Sequence, residues 1–417
     1  MQDFLSKNRW AVLFASTVTQ CIGGFPNVWG VLQPYVAAEY DYSLDASSLV
    51  MPLCVVAFGV LSILGGKLQD VVPSPRIPAI IGSVMIGIAF FNAYWIPAGN
   101  PLFMYIGFSF LFGGGCGFAF SSFFPTTMKW YTDKKGFANG ISGCAAAFYM
   151  ILLSYISKPM ISQFGARKTF LIMGVFSFVV TCATSFFFIN PTPEYVQEKN
   201  ALAEKALNKN PKTKIEIIDF KTGEMLRTKQ YYFLIFSMIL IMPAFMLISP
   251  AFITICMEKG LTEETALFAF AVSSAATAAG RLIIPWLSDY WGRKRTIVVS
   301  WMVVICSSFL FMVSDGSVIM VIFSIMAFFY SGGFVIIGPM ATELFGYKYS
   351  GTNVGFVNIA TSIGSLFGPI LLSIFVPILG SNARGIVGVT GATLSTLCML
   401  SLNTNMRKAK EKLEKSV

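Results

Sequence analysis

The sequence predicts an all-α membrane protein with twelve transmembrane helices in two six-helix bundles related by pseudo-two-fold symmetry, with both termini cytoplasmic. Three observations predict this fold class. The 417-residue chain is 55% hydrophobic and only 12% charged, its apolar residues gather in runs long enough to cross a bilayer, and its two halves resemble each other. A soluble domain needs a larger share of charged residues to cover its surface.

The apolar runs define the predicted spans. Polar breaks separate twelve of them: 10–37, 47–69, 77–97, 102–128, 136–157, 168–189, 231–257, 264–288, 296–314, 317–343, 352–378 and 383–402. Backbone groups in a bilayer are satisfied only in helices or closed barrels. Barrel strands alternate polar and apolar residues, and these runs do not. We therefore expect a helical, multi-pass protein of the cell membrane, in a bacterium the inner membrane, with the lipid bilayer around it.

The basic residues predict the orientation of the spans. Of the 30 Lys and Arg residues, 24 fall in alternate polar segments that include both termini, 5 fall in the other set, and one lies inside a span. Cytoplasmic segments carry the excess of Lys and Arg, so both termini are expected inside. The net charge of +10 is thus a topology signal, and we expect no nucleic-acid partner.

The predicted domain organisation follows from the longest polar segment. Residues 190–230 form a cytoplasmic linker between an N-terminal bundle (1–189) and a C-terminal bundle (231–402), and a basic tail follows (403–417). The segments "GKLQDVVPSPR" (66–76) and "PWLSDYWGRKR" (285–295) follow the second and eighth spans, and they place Asp70 and Asp289 at matching positions. Pro125 and Pro339 likewise match near the ends of the fourth and tenth spans. Such a duplication is typical of two-bundle transporters.

These paired segments resemble the signature turn of the major facilitator superfamily. The second copy keeps Asp289, Gly292, Arg293 and Lys294, and the first keeps Gly66, Asp70 and Arg76. The resemblance implies the major facilitator fold, with a conformational latch formed by Asp70, Arg76, Asp289 and Arg293. Solvated loop charges are the alternative interpretation of these four residues.

Further stretches resemble the oxalate/formate antiporter family and its monocarboxylate transporter relatives. They are "SPRIP" (74–78), "KWYTDKKGFANG" (129–140), "GRLIIPWLSD" (280–289) and "NVGFVNIATSIGSLFG" (353–368). The resemblance implies exchange or symport of small organic anions through a central cavity. It also implies that Arg281, the arginine of the eighth span, binds the substrate carboxylate.

Arg281 is also singled out by its position alone. It is the one formal charge deep inside a predicted span, eight residues before Asp289, which is about 12 Å along a helix. A buried arginine costs at least about 2.5 kcal/mol on insertion scales, so it should face the protein interior and serve a function. Its planar group can form two hydrogen bonds with a carboxylate. The alternative is a structural arginine that reaches back towards the cytoplasm.

Polar and aromatic residues at midspan complete the predicted substrate site. They are Asn27, Trp29, Phe120, Tyr330, Asn358 and Thr361, and for each aromatic residue a packing role is equally open. Gly23, Gly24 and Pro26 predict a distortion of the first span beside Asn27. The resemblance places a second cation of the oxalate exchanger at Thr361, so a single fixed charge favours a monoanion over oxalate.

The sequence therefore predicts a secondary active transporter of small monocarboxylate anions such as formate, lactate or pyruvate. It would work by alternating access, as anion exchange or as proton symport. The absence of histidine and a threonine, Thr277, where animal relatives carry an aspartate weaken a proton relay through side chains. Alternatives are a carrier of a dicarboxylate such as oxalate or of another small solute, or a membrane sensor that transports nothing. We expect a monomer without enzymatic activity, cofactor or metal.

Overall fold

The computed structural model describes residues 8–72, 74–192, 194–195, 218–380, 383–404, 406 and 410. The predicted all-α class is confirmed, and within these residues eleven helices are long and apolar enough to cross a membrane. Most of the predicted linker (190–230) and of the predicted tail (403–417) lies outside the described residues.

The helices alternate with short turns along the chain. In order they are α1 (Arg9–Ile22), α2 (Trp29–Tyr40), α3 (Leu44–Ser48), α4 (Val50–Val71), α5 (Arg76–Trp95), α6 (Leu102–Trp130), α7 (Lys135–Ser185), α8 (Thr222–Met225), α9 (Lys229–Met246), α10 (Phe252–Glu258), α11 (Glu263–Trp291), α12 (Arg293–Val313), α13 (Val318–Phe345), α14 (Ser350–Leu379) and α15 (Ala383–Ser401). We call α1–α7 the N-half and α9–α15 the C-half.

The first predicted span is divided in two. α1 ends at Ile22, and a 3₁₀ turn over Phe25–Val28 leads into α2. Gly24 is needed here because a Cβ at this position would lie 2.3 Å from the backbone oxygen of Ala146. The distortion that the glycines and Pro26 predict is therefore present. Because α1 and α2 have 14 and 12 residues, this span is not among the eleven, and the count of twelve stays a prediction.

The long helix α7 contains two predicted spans and breaks between them. Gly165 has φ +76°, a left-handed conformation that other residues rarely adopt. The carboxylate of Glu39, at the end of α2, accepts hydrogen bonds from the backbone amides of Ala166 and Arg167. These amides open the second part of α7, where an acceptor with negative charge is favourable. The break therefore separates the fifth predicted span from the sixth.

Each half has its own apolar interior. One cluster of buried side chains lies in the C-half, around Trp301, Phe252 and Tyr330, and another in the N-half, around Phe25, Trp29 and Phe108. The halves contact each other mainly where α4 packs on α14 and where α7 packs on α11. These two contacts position the residues of the candidate site.

Candidate functional site

Two helix crossings join the halves. We call the contact of α4 with α14 the Asp70 crossing and that of α7 with α11 the Asp289 crossing. At the Asp70 crossing, the Asp70 carboxylate accepts hydrogen bonds from the amides of Gly351 (3.1 Å) and Thr352 (2.8 Å) and from the Thr352 hydroxyl (2.6 Å). The first amides of a helix lack partners within it. A residue of the N-half thus caps α14 of the C-half.

The Asp289 crossing repeats this arrangement with the halves exchanged. Asp289 of the C-half accepts hydrogen bonds from the amides of Gly136 (2.9 Å) and Phe137 (3.0 Å) at the start of α7. A carboxylate at a helix N-terminus is further stabilised by the helix dipole. Both caps therefore hold the two halves together, and we call the end of the molecule at which they lie the closed end.

Glycine allows the backbones to approach each other at the closed end. A Cβ on Gly136 would lie 1.9 Å from the carbonyl oxygen of Pro285, and a Cβ on Gly66 would lie 2.2 Å from that of Gly351. No side chain fits at such distances, so the caps depend on these two glycines as well as on the two carboxylates.

Charged side chains surround the cap of the Asp289 crossing. Arg293 lies 2.5 Å from Asp289 and 3.3 Å from Glu343 of α13. Lys135 of the N-half lies 3.4 Å from the same Glu343, so this ion pair also joins the halves. Lys135 sits 4.9 Å above the ring of Tyr347. Burial raises the pKa of the Tyr347 phenol, and the Lys135 cation opposes that rise.

The Asp70 crossing has a different set of charges. Among the described residues Arg76 has no ion pair, and its Nε is buried without a hydrogen-bond partner, so the latch role of Arg76 stays a prediction. Lys129 of α6 is the cation whose charge acts on Asp70, and it also interacts with Asp219.

Three charged residues of the two crossings were not predicted from the sequence: Lys129, Lys135 and Glu343. The match between Pro125 and Pro339 could have indicated two of them, because Lys129 and Glu343 follow these prolines at the same distance. A pair of opposite charges at matching positions of a duplication is a signal that the sequence carries.

Arg281 lies on α11 at the Asp289 crossing, two helical turns from Asp289. Its Nη1 donates to the backbone oxygen of Gly143 in the N-half at 3.4 Å, which is long for such a bond. Its Nε is buried and has no hydrogen-bond partner among the described residues. Tyr330 and Cys144 are the ionisable side chains that interact electrostatically with it, and no described carboxylate pairs with it. The guanidinium thus keeps donors available for an anion.

Tyr330 of α13 lies close to Arg281 at the boundary of the C-half interior. It is buried, and its ring stacks on that of Phe245 with centroids 4.7 Å apart. α13 can come this near to α11 because Gly280 and Gly332 face each other, where a Cβ on Gly280 would lie 2.1 Å from the backbone oxygen of Phe328. The packing therefore holds the phenol beside the arginine.

Asn358 and Thr361 lie on α14, at the Asp70 crossing. Asn358 is 8% exposed, and its buried Nδ2 has no hydrogen-bond partner in the part of the chain that the structure describes. The Thr361 hydroxyl donates to the Asn358 carbonyl at 2.6 Å, within its own helix. Asn358 is seven residues from the capped Gly351, roughly 10 Å along the helix. It therefore stands at nearly the same distance from the closed end as Arg281.

The remaining predicted site residues have different surroundings. Trp29 is buried between the rings of Phe108 and Phe170, and its indole N–H donates to the Ser47 carbonyl at 2.9 Å. Phe120 stacks on Phe124, with ring centroids 5.0 Å apart. Both contacts are typical of packing residues. The side chain of Asn27 lies outside the described residues.

Comparisons with known proteins agree with this architecture. The family model of the Major Facilitator Superfamily matches residues 12–369 and 234–415. The uncharacterized MFS-type transporter YhjX of Escherichia coli is 22% identical over 377 residues, 86% of each chain. The oxalate:formate antiporter of Oxalobacter formigenes is 25% identical over 372 residues, 87% of this chain and 83% of the relative. The proton:xylose symporter XylE has a similar structure, with TM-score 0.72 at 15% identity over 96% of both chains.

Proposed function

The chain belongs to the Major Facilitator Superfamily, and from that premise we propose that it is a secondary active transporter of small monocarboxylate anions such as formate, lactate or pyruvate. The observation that carries the proposal is Arg281, a guanidinium at the contact of the two halves whose buried Nε has no partner within the described residues. A structural arginine at this depth would have a carboxylate or several carbonyl groups around it.

The chemistry of arginine supports a carboxylate as the ligand. A carboxylate can accept two parallel hydrogen bonds from one guanidinium, which gives both charge neutralisation and orientation. The one bond that Arg281 makes here, to the Gly143 carbonyl, is long and is easily exchanged for a charged acceptor. The resemblance to the oxalate exchanger places a second cation at Thr361, and this chain has a hydroxyl there. The proposed site therefore neutralises one negative charge.

The two crossings support alternating access. In this proposal the bundles 1–189 and 231–402 rock about the substrate, and the caps of Asp70 and Asp289 close one end while the other is open. We propose that the closed end faces the cytoplasm, since it adjoins the Lys- and Arg-rich segments. The transporter would then be outward-facing here, with coupling by anion exchange or by proton symport.

Arg281→Lys tests the proposal most directly. Labelled formate, lactate, pyruvate and oxalate are offered to proteoliposomes, with and without internal anion and with and without a pH gradient. We expect Arg281→Lys to keep the charge but to lower uptake at least tenfold, because an ammonium cannot form the two parallel bonds. The exposed Arg295, changed to Lys, is the matched control and should transport like the wild type.

The same assay separates the alternatives. Stimulation of uptake by internal substrate indicates exchange, and stimulation by external acid indicates symport. A dicarboxylate is the second candidate, because the relative of Oxalobacter formigenes is named an oxalate:formate antiporter, and it would be favoured if oxalate exceeded every monoanion. Wild-type rates in Arg281→Lys, or uptake of neutral solutes alone, would contradict the proposal.

A further inference from the structure

The two crossings correspond residue by residue. Two offsets in residue number relate the halves. The offset that takes Asp70 to Asp289 takes each position of α4 to its counterpart in α11, and the offset that takes Gly136 to Gly351 takes each position of α7 to its counterpart in α14. The contacts follow these two offsets, since Gly136 meets Pro285 in one crossing and Gly351 meets Gly66 in the other. The pseudo-two-fold relation therefore holds at the level of single contacts.

One turn further from the closed end, the correspondence continues. A Cβ on Gly140 would lie 3.0 Å from the backbone oxygen of Arg281, and a Cβ on Gly355 would lie 2.7 Å from that of Ser62. Ser62 is related to Arg281 by the same offset as Asp70 to Asp289, and Gly140 is related to Gly355 as Gly136 is to Gly351. Arg281 thus has Ser62 as its counterpart, and the charge is present in only one of the two crossings.

The next corresponding position is occupied differently in the two halves. Gly143, whose carbonyl accepts from Arg281, corresponds to Asn358. A Cβ on Gly143 would point at Val335, 3.4 Å away in the opposite half. Asn358 lies between Gly355 and Ser362 on the face of α14 that packs on α4 of the N-half, where the Ser362 hydroxyl donates to the Val55 carbonyl. Arg281 and Asn358 therefore face the contact between the halves at one level, from two sides of the pseudo-two-fold axis.

Asn358 supplies a neutral donor at this level. Its Nδ2 is buried and has no acceptor among the described residues, although buried donors are nearly always hydrogen-bonded in folded proteins. A neutral amide does not compensate a second carboxylate as a cation does, but it bonds well to a carbonyl or hydroxyl oxygen. The acceptor that fits is an uncharged oxygen on a bound solute.

We propose that Asn358 is the second substrate ligand and that it selects 2-oxo and 2-hydroxy monocarboxylates over acids without an oxygen on C2. The inference rests on the proposed function, because it takes Arg281 as the carboxylate ligand. Arg281 of α11 binds the carboxylate of the substrate, and Asn358 of α14 bonds to its C2 oxygen. Both ligands belong to the C-half, one on α11 and one on α14, and they would hold the substrate at the surface that faces the N-half.

Pyruvate and propionate test this inference because they share chain length and charge and differ in the oxygen on C2. Uptake of labelled pyruvate into pyruvate-loaded proteoliposomes is competed with each unlabelled acid, and with lactate. We expect pyruvate and lactate to compete at concentrations roughly tenfold below propionate, the effect of one hydrogen bond whose loss leaves a buried donor unpaired. Asn358→Leu should remove this difference by weakening competition by pyruvate and lactate.

A control variant and the possible outcomes distinguish the role of Asn358 from the proposed monocarboxylate transport. Ser365→Ala removes a hydroxyl on the same helix that already bonds to the Ser362 carbonyl, and it should keep the wild-type preference. Equal competition by pyruvate and propionate in the wild type overturns the role of Asn358 and leaves monocarboxylate transport standing. Absence of Arg281-dependent uptake of any acid overturns both. If Asn358→Leu does not fold, competition by pyruvate and propionate is compared in Asn358→Ser and in the wild type to test the role of Asn358.

Discussion

The Asp70 crossing and the Asp289 crossing have the same backbone geometry and different electrostatics. In both, an aspartate of one half caps a helix of the other half through two amides. Only Asp289 also pairs with an arginine among the described residues, Arg293, and both side chains of that pair are nearly buried, 11% and 8% exposed. The same close contact thus forms with ion pairs around the aspartate at one crossing and, among the described residues, without them at the other.

The two crossings are therefore expected to differ in strength. Loss of the Asp289 charge leaves the buried Arg293 and Lys135 to share one acidic partner, Glu343, whereas loss of the Asp70 charge mainly weakens a cap. Since the capped amides are themselves the contact between the halves, their hydrogen exchange reports opening of each crossing. Exchange at residues 136–137 follows the Asp289 crossing, and exchange at residues 351–352 follows the Asp70 crossing.

Asp289→Asn should have the largest effect. The variant keeps the size of the side chain but leaves one amide of the cap unpaired and removes the charge that faces Arg293. We expect the closed end to weaken by about 3 kcal/mol, a typical loss for one partner of a buried pair, which is roughly a hundredfold more opening. Hydrogen exchange at residues 136–137, measured by mass spectrometry in nanodiscs, checks this.

The response of the other crossing decides whether the halves move together. If opening is one rocking motion, exchange at residues 351–352 should accelerate in parallel, although Asp70 is unchanged. Acceleration confined to residues 136–137 would indicate local fraying and contradict a rigid-body motion. Exposed Lys67, changed to Gln, serves as the control for a charge change near this end of α4.

Lys129→Glu should have an intermediate effect and sharpens the comparison of charges. Lys129 corresponds to Glu343 of the other copy and interacts with Asp70 and Asp219. The change places a third carboxylate near these two, and we expect a loss on the order of 2 kcal/mol, since repulsion in a partly buried site exceeds that at the surface. Exchange at residues 351–352 should rise first. Unchanged exchange there would mean that Lys129 does not stabilise the crossing.

The comparison also shows which parts of the fold and of the two crossings could be predicted from the sequence. The spans, the duplication and both aspartates follow from hydropathy and from repeated turn residues, which are local properties. Arg293 could be placed near Asp289 because only four residues separate them along the chain, and a single residue, Gly292, lies between α11 and α12. Arg76 could not, because it follows Asp70 by six residues across the longer segment 72–75 between α4 and α5, so its distance from Asp70 depends on that turn.

Contacts between distant segments set the same limit within the candidate site. Arg281 stands out in the sequence as a charge among apolar residues, whereas its neighbour Gly143 carries no signal. Trp29, an aromatic residue at midspan, is predicted from the sequence to belong to the substrate site, yet its indole N–H already donates to the Ser47 carbonyl within the N-half. Asn358 could be proposed from its midspan position, but its correspondence with Gly143 appears only when both crossings are described.

Asp70→Asn should have the smallest effect of the three. The Asn oxygen can still accept from one amide of α14, and among the described residues no cation lies within ion-pair distance of Asp70, so the loss is that of a weakened N-cap, about 1 kcal/mol. That is roughly fivefold more opening, against the hundredfold expected for Asp289→Asn. The Thr352 hydroxyl also bonds to Asp70, so Thr352→Val should reproduce part of the loss. Equal effects of Asp70→Asn and Asp289→Asn on exchange would show that the additional ion pairs contribute nothing, and the two crossings would then be equivalent in energy as well as in backbone geometry.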